Sequence, residues 1–124
     1  MSNVRFHYLY RDGSNYKKWA EVVFSNDEGL SLDAVTEALR NGFSRDGLFI
    51  AHQVRVPETF LAAEYNLTPD DHCFHEFDSV EVTPDVPNDR YSRSICEFVA
   101  EVAREARHGW FAFDPQDSLI RLSV

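Results

Sequence analysis

A chain of 124 residues with 44% apolar side chains, ten Phe and two Trp among them, has the size and apolar content of a single globular domain, 1–124, and is not disordered by composition. A formal net charge of −9 argues against direct nucleic-acid binding, which needs a basic face to neutralise phosphate, and no apolar run approaches the roughly 20 residues of a membrane span. Cys73 and Cys96, the two cysteines, are too few for a disulfide framework and read as reduced thiols of a cytoplasmic protein.

The N-terminal stretch MSNVRFHYLY lacks the basic-then-apolar layout of a secretion signal and runs directly into a strand pattern. Val4, Phe6, Tyr8 and Tyr10 alternate with Arg5, His7, Leu9 and Arg11, a period of two. Residues 16–25 are again aromatic and β-branched. Asp12-Gly13-Ser14-Asn15 between them has the chemistry of a hairpin turn. A competing reading uses Arg11, Lys17 and Lys18 to hold an anion at the tip, but the loop lacks the glycine density and following helix of a phosphate cradle.

After the turn SNDEG, residues 31–42 predict a helix. Ser31 is its N-cap, Asp33 lies in the first turn, Leu32, Val35 and Leu39 form its apolar stripe, and Asn41-Gly42 offers a left-handed stop. Gly47 to Pro57 follows, and the continuous apolar run Leu48–Ala51 predicts a strand buried on both faces. ETFLAAEYNL fits a helical turn or a short strand. HCFHEFDSVEVTP predicts a further strand, with Cys73, His75 and Phe77 on one side and Phe74, Glu76 and Asp78 on the other.

Pro87 and then Asn88 or Asp89 signal a second helix start. Ile95, Phe98, Val99, Val102 and Ala106 make its stripe, Glu97, Glu101 and Glu105 fall on the remaining surface, and Gly109 ends it. Residues 110–124 fit either a strand, by the alternation of Ile120, Leu122 and Val124, or a short helix at Asp114-Pro115. Trp19 and Trp110 are expected in the core. The order ββαββα predicts an α+β fold: a largely antiparallel sheet with two helices packed on one face.

HYLYRDGSNYK, FIAHQV and DDHCFHEFD together resemble a group of small uncharacterised bacterial proteins. The resemblance covers most of the chain. It implies a bacterial, cytosolic, stand-alone domain and carries no activity over.

Two features point beyond the fold. No Lys or Arg occurs between Arg55 and Arg90, an interval that holds Glu58, Glu64, Asp70, Asp71, Glu76, Asp78, Glu81, Asp85 and Asp89. Such a run is either a solvated face that keeps the protein soluble or a surface that steers a basic partner. Within it, Asp70, Asp71, His72, His75, Glu76 and Asp78 are the candidate binding residues. The same cluster, with Cys73, is the densest set of potential ligands. A divalent site needs three or four donors converging on one point, and neither paired cysteines nor HExxH spacing is present. No metal or cofactor is therefore expected. The expectation is a non-enzymatic protein binding a basic protein surface, in the manner of immunity proteins, antitoxins or nucleic-acid mimics, with no direct nucleic-acid or membrane contact. A homodimer joined by a strand edge or an aromatic surface is compatible with it. The alternative is a small metal-dependent or hydrolytic enzyme centred on His72 and His75.

Overall fold

The structure is a computed structural model and describes residues 2–11, 15–59 and 73–112. Among them, β1 (Asn3–Arg11) pairs antiparallel with β2 (Lys17–Phe24), Phe6 facing Val22 and Leu9 facing Trp19. Helix α1 (Leu32–Gly42) follows, then the two-residue β3 (Leu48–Phe49), then β4 (His75–Thr83), which lies antiparallel between β1 and β3, and last helix α2 (Ile95–His108). The sheet order is β2-β1-β4-β3. Both helices pack on the same side of this sheet, so the expected α+β architecture is the observed one.

The strand period explains the core. Val4, Phe6 and Tyr8 point inward from β1, Val22 and Phe24 from β2, and Phe77 from β4. They meet Val35 and Leu39 of α1 and Ile95, Phe98 and Val102 of α2. Phe6 sits at the centre, its ring 5.0 Å from that of Phe98, 5.2 Å from Tyr8 and 5.7 Å from Phe77. Offset and tilted ring packing of this kind adds to the stabilisation that burial alone provides.

A bulge sets which side chains of β4 face outward. The β1–β4 register shifts between His7 and Tyr8: His7 faces Ser79, Tyr8 faces Phe77, and Asp78 has no opposite residue. The extra residue reverses the alternation. His75 and Phe77 point inward on one side of it, Val80 packs against the core on the other, and Glu81 turns to the face away from the helices, where it meets Arg5.

Four local expectations are corrected. Leu48–Ala51 is not one strand: β3 ends at Phe49, and Ala51–Val54 forms a 3-10 turn. Ala51 and Val54, three apart, then share the buried side of that turn, which satisfies the apolar run as well as a strand would. Gly42 is not a left-handed stop. It is the last helical residue of α1, it lies against Val102 of α2, and Phe43 caps the helix in extended conformation. Helix α2 does not start at Pro87–Asp89. Its N-cap is Ser94, whose side chain accepts from the Glu97 N–H while the Glu97 carboxylate accepts from the Ser94 N–H, a complete capping box. Trp19 is not in the core: it is 57% exposed, whereas Trp110 is half-buried against Phe43.

Asn88 and Asp89 have other work. Asn88 donates its N–H to the Val23 carbonyl (3.0 Å) and accepts the Val23 N–H on its side chain (2.8 Å), so residues 88–95 run along the end of β2. Asp89 binds Arg93, which is buried together with Glu101. The Arg93 guanidinium donates to both Asp89 oxygens at 2.9 Å, to the Val54 carbonyl at 2.7 Å, to the Arg55 carbonyl at 2.9 Å and to Glu101. All five of its donors are thereby used. Glu101 also accepts from Arg55 at 2.8 Å and from Arg104 at 3.2 Å. Expected on the solvated side of α2, it instead ties that helix to the 3-10 turn and to the segment before α2.

Candidate functional site

Of the sequence-predicted cluster, His75, Glu76 and Asp78 lie among the described residues, and these three do not converge. His75 points into the core and is fully buried. Its Nε2 accepts the Thr59 N–H at 2.9 Å, and the rings of Tyr10, Tyr8 and Phe49 lie 5.7, 6.0 and 6.3 Å away. Glu76 points to the opposite face and is held by Arg11, Nη2 to Oε2 at 3.1 Å and Nε to Oε1 at 3.3 Å. Asp78, at the bulge, is exposed and accepts the Ser79 hydroxyl at 2.8 Å. Asp70, Asp71 and His72 lie outside the described residues. Among the described residues no group of three or more His, Cys, Asp or Glu is placed to hold a metal ion. Among them, too, no helix is long and apolar enough to cross a membrane.

The interval without Lys or Arg is cation-free only along the chain. Strand pairing supplies Arg11 to Glu76 and Arg5 to Glu81 and Asp85, while Arg93 binds Asp89. The anion site considered at the hairpin tip loses Arg11 in the same way, since that side chain holds Glu76 and also donates to Asn15 at 2.5 Å. The tip residues 12–14 lie outside the described residues.

A different group is brought together on the face of the sheet away from the helices. Arg5 of β1 is met by three carboxylates. Its Nε lies 3.3 Å from Glu21 of β2, its Nη1 lies 2.7 Å from Glu81 of β4, and its Nη2 bonds Asp85 just after β4. Thr83 fixes this arrangement: its hydroxyl accepts from Arg5 at 3.1 Å and from the Asp85 N–H at 3.1 Å. Asn3 holds the Asp85 carbonyl at 2.9 Å. His7, two residues along β1 on the same face, places Nε2 2.8 Å from Glu81 and Nδ1 3.7 Å from Glu21.

Electrostatics follow from the geometry. One guanidinium faces three carboxylates, so the group carries surplus negative charge. Hydrogen bonds from Arg5 and then from His7 hold the Glu81 carboxyl below the usual carboxylate range, which keeps it ionised in mildly acidic solution. Trp19 stands beside the group on the same face, two residues before Glu21 on β2 and across from Leu9 of β1. An exposed indole next to a rim of carboxylates has the composition of a recognition surface: the ring contributes contact area and the acids set the sign of the partner.

The sequence reading missed this grouping, although its signals are present. Arg5 and His7 share a strand face by period, and a hairpin closed at Asp12–Asn15 puts His7 opposite Glu21. The contribution of β4 was hidden by the bulge, without which Glu81 would share the inward side of His75 and Phe77. No protein-family model matches the chain, and comparison with curated proteins and with solved structures found no match.

Proposed function

We propose that this protein is a non-enzymatic interaction module that binds a basic protein surface through the outer face of its sheet. The observation that carries the reading is the meeting of Glu21, Glu81 and Asp85 around the single guanidinium of Arg5, beside the exposed Trp19. Surplus carboxylate on an exposed surface attracts and orients a cationic partner, and the indole supplies the desolvated contact that charge alone does not. The overall charge of −9 acts in the same direction at longer range. The unbonded thiols of Cys73 and Cys96 support a reducing, cytosolic setting. Immunity proteins, antitoxins and nucleic-acid mimics act by the same physical logic.

The test is an NMR titration of the 15N-labelled protein with a lysine- and arginine-rich peptide. The reading predicts that shift changes concentrate at Arg5, His7, Trp19, Glu21, Glu81 and Asp85. Changes centred on the exposed acids Asp33 and Glu37 of α1, or spread evenly over every acidic residue, would refute it.

A further inference from the structure

The edge of β2 carries an inference that does not depend on the proposed function. β2 is the outermost strand of the sheet, with β1 on one side only. Which of its backbone groups point outward follows from Val23. Both the N–H and the C=O of Val23 bond Asn88, so they face away from β1. Ser25, two residues on, accepts the Ile95 N–H in the same outward sense. In an unbroken antiparallel pair this orientation repeats every second residue, and the β1–β2 register is unbroken from Val4–Phe24 to Arg11–Lys17. The outward groups of β2 are therefore those of Lys17, Trp19, Glu21 and Val23. The last is covered by Asn88, which leaves Lys17, Trp19 and Glu21 as an open edge among the described residues.

We propose that this edge pairs with the same edge of a second copy of the chain, antiparallel, with the two-fold axis at Trp19. In that register Lys17 lies opposite Glu21 of the second copy, Trp19 opposite Trp19, and Glu21 opposite Lys17. All of these side chains stand on the outer face of the sheet, so each opposed pair is in contact range.

Two independent observations select that centre. The first is the extent of the open edge: Lys17, Trp19 and Glu21 are symmetric about Trp19, and Asn88 blocks any register that extends to Val23. The second is charge. Backbone pairing permits only registers that shift by two residues along one copy. Shifted one way, Lys18 faces Lys18 and Lys17 faces Trp19. Shifted the other way, Glu21 faces Trp19 and Lys17 meets the blocked Val23. Only the register centred on Trp19 sets Lys17 against Glu21 twice and leaves no like charges opposed. A lysine on an edge strand ordinarily discourages pairing; here its partner is two places away on the same stripe. The contact is isologous and closes at two copies, giving one continuous antiparallel sheet. It also places the Arg5–Glu81–Asp85 groups of both copies on one surface.

Sedimentation equilibrium over a range from low micromolar to near-millimolar protein tests the pairing. Wild type is expected to show a monomer–dimer equilibrium. Lys17→Glu and Glu21→Lys each set like charges opposite one another at both ends of the contact, and each is expected to weaken dimerisation at least about tenfold. An equimolar mixture of the two variants opposes unlike charges again and is expected to form a heterodimer of near wild-type affinity. Trp19→Lys, at an exposed position whose folding does not depend on Arg5, places two cations on the axis and is expected to abolish the dimer. It serves as the second arm should Glu21→Lys melt far below wild type. A wild type that stays monomeric throughout would overturn the proposal. So would dimerisation of Lys17→Glu or Trp19→Lys at wild-type affinity, or a mixture of folded variants that associates no better than its components.

Discussion

Arg93 and Glu101 form an ion pair that is buried on both sides, with the guanidinium lying over the rings of Phe98 and Phe24 at 5.2 and 5.6 Å. A buried charge of this kind is tolerated because every donor is used and the opposing carboxylates of Asp89 and Glu101 are within reach. It joins α2 and the stretch immediately before it to the 3-10 turn, about forty residues earlier in the chain.

Arg93→Met should accordingly be among the most damaging single changes in the protein. It keeps most of the apolar volume but strands Asp89 and Glu101, so the expected loss is about 3–5 kcal/mol, the range for breaking a buried pair by removing one partner. The triple change Arg93→Met, Asp89→Asn, Glu101→Gln should recover part of it. Urea unfolding of the three forms measures this directly.

Asp89 makes stability depend on pH with a definite sign. Burial raises its carboxyl pKa, but the hydrogen bonds from Arg93 outweigh burial and bring it below the ordinary value of 3.8. A carboxyl lowered in the folded state contributes stability that is fully present above its unfolded range and is lost as pH falls through the folded value. Melting temperature should therefore fall as the solution is acidified below about pH 4. Asp89→Asn should be less stable at neutral pH and show a shallower acid decline. The comparison is a set of thermal melts of both proteins from neutral to strongly acidic solution.

At Gly42 a Cβ would stand 2.6 Å from Cγ1 of Val102, closer than packed atoms allow. Gly42→Ala gains about 1 kcal/mol of helix propensity but forces α1 and α2 apart, an overpacking cost of typically 1–3 kcal/mol. The expected net result is destabilisation. The sign should reverse in a Val102→Ala background, where the methyl has room. A double-mutant cycle by chemical denaturation checks both the sign and its reversal.

The fold was legible because strand and helix periods were strong. Val4–Tyr10, the stripe Val35–Leu39 and the stripe Ile95–Val102 are local patterns, and each placed its face correctly. What was not legible depends on side-chain partners that no helix or strand period reveals. Glu101 reads as one more acid on a polar helix face until Arg93 and Arg55 arrive beside it. Asn88 and Asp89 look like helix starters because short polar side chains cap helices, yet Val23 and Arg93 claim them first. The exposed site was hidden by one residue: Asp78-Ser79, two polar side chains in succession within a strand, is the visible trace of the bulge that turns Glu81 outward. The run from Glu58 to Asp89 looked like an uncompensated acidic face because a sequence does not show that Arg5 and Arg11 lie on the strand next to it.

The central claim is that the outer sheet face recruits a basic partner. Its most direct test is stopped-flow association of the lysine- and arginine-rich peptide with wild type, with Glu81→Gln/Asp85→Asn, and with Asp33→Asn/Glu37→Gln, at low and high salt. The two variants carry the same change in net charge, so a response confined to one pair reports the location of the field and not its total. The account predicts that the Glu81/Asp85 neutralisation slows association several-fold at low salt, that the difference fades as salt rises, and that the Asp33/Glu37 control stays close to wild type. Equal slowing by both pairs, or an association rate indifferent to salt and to the Glu81/Asp85 change, would contradict it.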